Sequence, residues 1–180
     1  MDGFCFSDLL KDIRKASETK DTDFFCTTRD IFQARLDTYI VKTQEYLASA
    51  VIGEIGNNTF DHNWEYAEGQ CRGTYFNTDY AGKIILADFG RGLKQSLSVV
   101  KDCKSDLEAI KTAFTERLSG RSPEQRGNGL KFVCDTVKEK NWRLYFQSGD
   151  SYCIIEDRSV NFAVADFHIA GCLAVLQIRN

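Results

Sequence analysis

The stretch "AVIGEIGNNTFDHN" sets Glu54, Asn58 and Asp61 at helical spacing, with His62 beside them. At about 100° per residue these side chains share one face of a helix. A carboxylate, an amide, a second carboxylate and an imidazole in a row suit a metal–phosphate site. A hard Mg2+ ion takes oxygen ligands in an octahedron, most of them from phosphate and water. Asn58 offers it a neutral carbonyl oxygen that does not repel phosphate. Glu54, one turn earlier, could orient or deprotonate a water or hydroxyl attacking a terminal phosphate. A solvated polar face fits the same residues. Ala48, Ile52, Ile55 and Thr59 fall on another face, suited to packing on a sheet. Gly53 and Gly56 each cost about 1 kcal/mol relative to alanine inside a helix, which close packing of helix on sheet would offset.

Two further stretches carry glycines beside polar groups. In "KIILADFGRGL" an apolar strand ends in Asp88, followed by Gly90 and Gly92. A carboxylate there can accept a hydrogen bond from an exocyclic amine such as adenine's, and the glycines let the chain pass close to a flat base. A plain strand-ending turn reads equally well. In "RGNGLKFV", Gly127 and Gly129 flank Asn128 ahead of Leu130 and a helical pattern, so a phosphate loop and a loop-to-helix turn both fit.

Elements that would position these groups follow from periodicity. "FSDLLKDIRKA" suits a short helix capped by Ser7. A helical pattern from about Thr28 reads as two helices. "CRGTYFNTD" and "GKIILADFG" read as neighbouring strands turning near Asp79–Gly82. "KSDLEAIKTAFTERL" and "LKFVCDTVKEK" read as helices, with a polar loop between them. "WRLYFQS" and "SYCIIED" suit a hairpin around Gly149–Asp150, and "GCLAVLQI" a final buried strand. The expected fold is α+β: a two-layer α/β sandwich, a mixed, mostly antiparallel sheet with helices on one face. Residues 1–27 are expected to be an N-terminal helical extension, and 28–180 the main domain.

The totals agree with a soluble domain: 180 residues, 43% hydrophobic, 27% charged, net charge −3. No Lys/Arg block points to nucleic acid, and no apolar run is long enough for a membrane span. The acidic start lacks a secretory pattern, so a cytoplasmic location is expected. Seven cysteines stand at 5, 26, 71, 103, 134, 153 and 172, the closest 19 apart, with no CxxC pair. They read as reduced thiols and give no support for a zinc cluster.

Taken in order, Glu54-x3-Asn58-x2-Asp61-His62, Asp88-x-Gly90-x-Gly92 and Gly127-x-Gly129-Leu130 resemble the N, G1 and G2 boxes of the GHKL ATPase superfamily, over about residues 45–178. The resemblance implies the Bergerat fold and ATP bound with Mg2+ under a lid, here about Val99 to Arg126. It implies Asn58 as the metal ligand and Glu54 as general base where one is used. Asp61 and His62 would lie beside the nucleotide, Asp88 would bind the adenine amine, and Gly90 and Gly92 would shape the base pocket. Arg126, Gly127, Asn128, Gly129 and Leu130 would meet phosphate at a helix N-terminus, and Cys172 would stand near the base. Arg121 would be a further phosphate contact. Two departures are visible: Gln125 replaces a third glycine, and Gly171-Cys172 replaces a Gly-Thr.

Within the superfamily the chain is most similar to stand-alone anti-sigma-factor serine kinases. These are bacterial regulators that act on a small regulatory protein partner. The chain looks too short for members with a transducer domain and lacks a phosphoacceptor-histidine helix, since His62 and His168 are its only histidines. A protein serine/threonine kinase or slow ATPase is the implied activity, with ATP or ADP as ligand and a homodimer allowed. The two departures keep a non-catalytic, nucleotide-gated interaction module as the alternative. His168, Trp64, Tyr66 and Trp142 read as packing or loop residues.

Overall fold

The computed structural model describes residues 5–62, 73–116 and 128–179, leaving out the His62 side chain. Helix α1 (Phe6–Thr19) comes first, and Ser7 lies inside its first turn, not at the cap, which is Cys5. After β1 (Phe25–Cys26), Thr28 caps α2 (Arg29–Thr43) by accepting a hydrogen bond from the Ile31 N–H. α2 closes at Gln44 in the left-handed conformation, and α3 (Tyr46–His62) follows at once. The expected face of α3 is the buried one: Ala48, Ile52, Ile55 and Thr59 are all inside.

The glycines of α3 serve a different contact from the one expected. A Cβ on Gly56 would lie 2.2 Å from Cζ of Phe32, and one on Gly53 would lie 3.4 Å from Leu36. The close packing is therefore of α3 on α2, helix on helix. Phe32 is fully buried. Gly56→Ala is expected to lower stability by about 1–3 kcal/mol despite the better helix propensity of alanine. Denaturant unfolding measures this, and an unchanged midpoint would mean that Phe32 yields.

Strands β2 (Thr74–Asn77) and β3 (Ile84–Asp88) form the expected hairpin, with Ala81 and Gly82 at positive φ in its turn. Then come α4 (Gly92–Leu97), α5 (Asp106–Thr115, capped by Ser105), α6 (Gly129–Glu139), β4 (Arg143–Glu156) and β5 (Ser159–Gln177). The sheet order is β1-β2-β3-β5-β4, antiparallel at every described pairing. A mixed, mostly antiparallel sheet was the expectation. β3 and the start of β4 do run the same way, joined through the helices, but β5 lies between them and pairs antiparallel with both.

β4 is not straight. Thirteen residue steps of extended chain would span roughly 40 Å, yet Arg143 Nε sits 3.0 Å from Glu156 Oε2. Tyr145 and Tyr152 stack at 5.2 Å, and the Phe146 backbone reaches the Cys153 thiol. The strand doubles back at Gly149–Asp150, as the sequence suggested. Gly149 has φ +62°, as the first central residue of a type II′ turn requires. The two arms pair with different halves of β5: Arg143–Gly149 with Ile169–Gln177, and Ser151–Glu156 with Ser159–Val164.

One core lies between the sheet and α2, α3, α5 and α6, and includes Phe32, Ile52, Phe114, Val133, Leu144 and Leu176. On the opposite face α1 buries Leu9, Ile13 and Ala16 against Tyr75, Ile85 and Val175. The helices of 28–180 thus share one face, and the N-terminal segment covers the other. No described helix is long and apolar enough to cross a membrane.

Candidate nucleotide site

Asp88 ends β3 directly opposite Cys172 of β5. Asp88 as a residue is 8% exposed. Oδ1 accepts the Gly90 N–H at 2.8 Å, and Oδ2 accepts the Thr59 hydroxyl at 3.3 Å. A buried carboxylate must be held by donors in this way. Thr59 comes from the last turns of α3, so one hydrogen bond ties the helix layer to the end of the strand. Asn58, Thr59, Asp88, Leu93, Phe146 and Cys172 line a cavity at this end of the sheet. Its interior has room for about one water molecule.

Backbone approaches of glycine shape the same corner. Gly171 has φ +79°, and a Cβ there would lie 2.1 Å from the Asp88 carbonyl oxygen. Gly92 has φ +70°, and its Cβ would come 2.9 Å from Ser148 Oγ. That hydroxyl accepts the Leu93 N–H at 2.9 Å and donates to the Gly171 carbonyl at 3.0 Å. The Cys172 thiol points to Ser148 at 3.7 Å. Burial, and then the charge of Asp88, hold this thiol well above the ordinary cysteine range, so it stays neutral at physiological pH.

A second locus lies where α3 meets α6. Glu54 is exposed, and its Oε2 would sit 2.3 Å from a Cβ on Gly129, the first residue of α6. The carboxylate thus rests against the positive end of a helix, a place that favours anions. Asn128 is the N-cap residue, with no side-chain cap bond, and Leu130 is buried in the core.

The structure brings Asn58, Asp88 and Cys172 to one cavity and sets Glu54 beside Gly129. Asp61 is held elsewhere: it forms an ion pair with Arg29, whose guanidinium lies 5.9 Å from the Phe60 ring centre. The His62 side chain, Arg121, Arg126, Gly127, Trp64 and Tyr66 lie outside the described residues. The stretch expected to be a lid is part of the body as far as Glu116. Its helix α5 buries Ala109, Ile110 and Phe114 in the main core. Sequence reasoning missed Thr59 and Ser148. A threonine at the end of an otherwise apolar helix face was the available signal for the first. Trp142 is buried, as expected, whereas His168 stands exposed on β5 and bonds to Asp150.

No family model matches the chain, and no curated protein does. Solved structures that are similar in part include two ATPase domains. The 43K ATPase domain of Thermus thermophilus gyrase B, in complex with an aminocoumarin, aligns with TM-score 0.42 and 14% identity over 72% of this chain and 33% of that one. The topoisomerase IV ATP-binding domain of Francisella tularensis, in complex with a small-molecule inhibitor, aligns with TM-score 0.44 and 14% identity, over 71% of this chain and 62% of its own. The chain covers less than two thirds of the length of either.

Proposed function

We propose that the protein binds ATP with Mg2+ at the end of β3, as a GHKL-type domain of Bergerat arrangement, and acts as a serine/threonine kinase of anti-sigma-factor type or a slow ATPase. The carrying observation is the buried Asp88 carboxylate, fixed by Thr59 and Gly90 in a cavity shared with Asn58. One turn before Asn58, Glu54 rests at the N-terminus of α6. The two loci match the two ends of a nucleotide: an acceptor for the base amine, and an anion-favouring helix end for the phosphates.

The donor set fits the cofactor. The Asn58 amide supplies a hard oxygen without adding charge, and the missing Cβ of Gly129 leaves the α6 backbone open to an anion. Magnesium, when bound with ATP, would neutralise phosphate charge and polarise the terminal phosphoryl group. Glu54, standing beside the helix end, would accept the proton of the attacking hydroxyl or water. The cavity is narrow, so the base would enter by moving side chains such as Leu93 and Phe146 aside.

The narrow cavity, and a neutral thiol where a hydroxyl would help hold the base, favour a second reading. In it the domain binds nucleotide without turnover and uses it to gate a regulatory protein partner or a homodimer. Both readings require binding. Mg·ATP and Mg·ADP in excess are expected to raise the melting temperature by several degrees, as about 2.7 kcal/mol of linkage at one hundred times Kd implies. No shift with either nucleotide would remove both readings.

A further inference from the structure

Asp106, Asp150 and His168 come from three separate parts of the chain and meet at the Gly149–Asp150 turn. Asp106 is the first residue of α5 and Asp150 the second residue of the turn. His168 precedes Ile169, the β5 partner of Gly149. One ligand-capable atom of each lies within 4.8 Å of the other two. His168 Nδ1 is 2.8 Å from Asp150 Oδ1, and Asp106 Oδ2 accepts the Asp150 N–H at 3.0 Å. Gly149 makes the approach possible, because a Cβ there would lie 2.1 Å from Asp106 Oδ2.

The chemistry of this trio selects among cations. Two carboxylates alone would suit Mg2+ or Ca2+, which take oxygen. An imidazole nitrogen in the set favours a borderline metal such as Zn2+. With Zn–N and Zn–O bonds near 2.0–2.1 Å, tetrahedral donors stand roughly 3.3 Å apart, inside the separation already present. Asp150 and His168 are each 62% exposed, so small side-chain rotations can close the set. Asp106 also lines an open groove with Arg91, Lys94, Ser98 and Cys103, which gives a held ion a free side toward solvent or a small ligand.

We propose that Asp106, Asp150 and His168 bind one Zn2+ ion in a three-ligand site open to solvent. The site is separate from the Asp88 cavity and does not depend on nucleotide binding. The test is competition for Zn2+ against a chromophoric chelator, with the full chain reduced and near neutral pH. One ion per chain is expected, with affinity falling at least about tenfold in His168→Gln and in Asp150→Asn. His168 is exposed, so His168→Gln should melt as wild type does when zinc is absent, which separates ligand loss from misfolding. Absence of one-to-one binding would overturn the site. So would binding that His168→Gln leaves unchanged, which would belong to thiols such as the exposed Cys5.

Discussion

Replacing Asp88 with alanine is expected to abolish most nucleotide-dependent stabilisation, with affinity for Mg·ATP falling by roughly 10- to 100-fold. That range is what a hydrogen bond to a charged acceptor contributes, about 1.5–3 kcal/mol. The same substitution strips the Thr59 hydroxyl and the Gly90 N–H of an acceptor. Leaving the buried Thr59 donor unmatched costs about 1–3 kcal/mol, so the apo protein should also melt earlier. Asp88→Asn separates the two effects. Its amide oxygen can still accept from one of the two donors, while its NH2 group faces the base amine donor to donor. Isothermal titration of both variants should show weak binding in each and a smaller loss of stability in Asp88→Asn. Wild-type affinity in Asp88→Asn would place the base elsewhere.

The second large effect is expected at Gly129. An alanine methyl there would land 2.3 Å from Glu54 Oε2, and the flexible carboxylate would move away. Because Glu54 is exposed, folding should be little changed. Phosphotransfer or hydrolysis should fall by about 10²–10⁴-fold, the range for loss of a positioned base. Glu54→Ala should give a similar loss with nucleotide binding retained, and the double variant should fall no further, since each change removes the same group from the same place. Single-turnover kinetics with radiolabelled ATP would measure it. Wild-type turnover in Gly129→Ala, or losses that multiply in the double variant, would remove Glu54 from the base role. Nucleotide binding with no turnover in the wild type, even with the native partner present, would leave the gating reading.

Much of the scaffold was legible because its signals are local. The helices that Thr28 and Ser105 cap were visible from their apolar periodicity. The Gly149–Asp150 turn was visible because a left-handed turn position calls for glycine. Asp157 and Arg158 both have positive φ but no glycine or asparagine, so the second hairpin, and with it the outer half of β5, gave no turn signal. The two-residue β1 and six-residue α4 are too short for a period to register. At the candidate site, Asp88 and Glu54 were singled out on residue type and spacing alone. The ion pair of Asp61 with Arg29 and the hydrogen bond of Thr59 with Asp88 each join residues about thirty positions apart. No local pattern carries that information. The glycines of α3 were noticed, but only the neighbour of Gly56, the Phe32 ring, says which surface they serve.

The place of β5 has a consequence for the order of folding. Its segment Ile169–Gln177, the last of the described strand segments, lies between β3 and the first arm of β4. Until it arrives, the β1-β2-β3 unit and the β4 arm are two half-sheets with no shared hydrogen bonds. Asp88 then lacks its neighbour Cys172, and Ser148 lacks the Gly171 carbonyl to which it donates. A chain growing from its N-terminus therefore cannot assemble the Asp88 cavity until the segment with Gly171 and Cys172 has been made. Joining segments so far apart in sequence is also the slow step expected for such a topology. Competence of the site and completion of the sheet are one event.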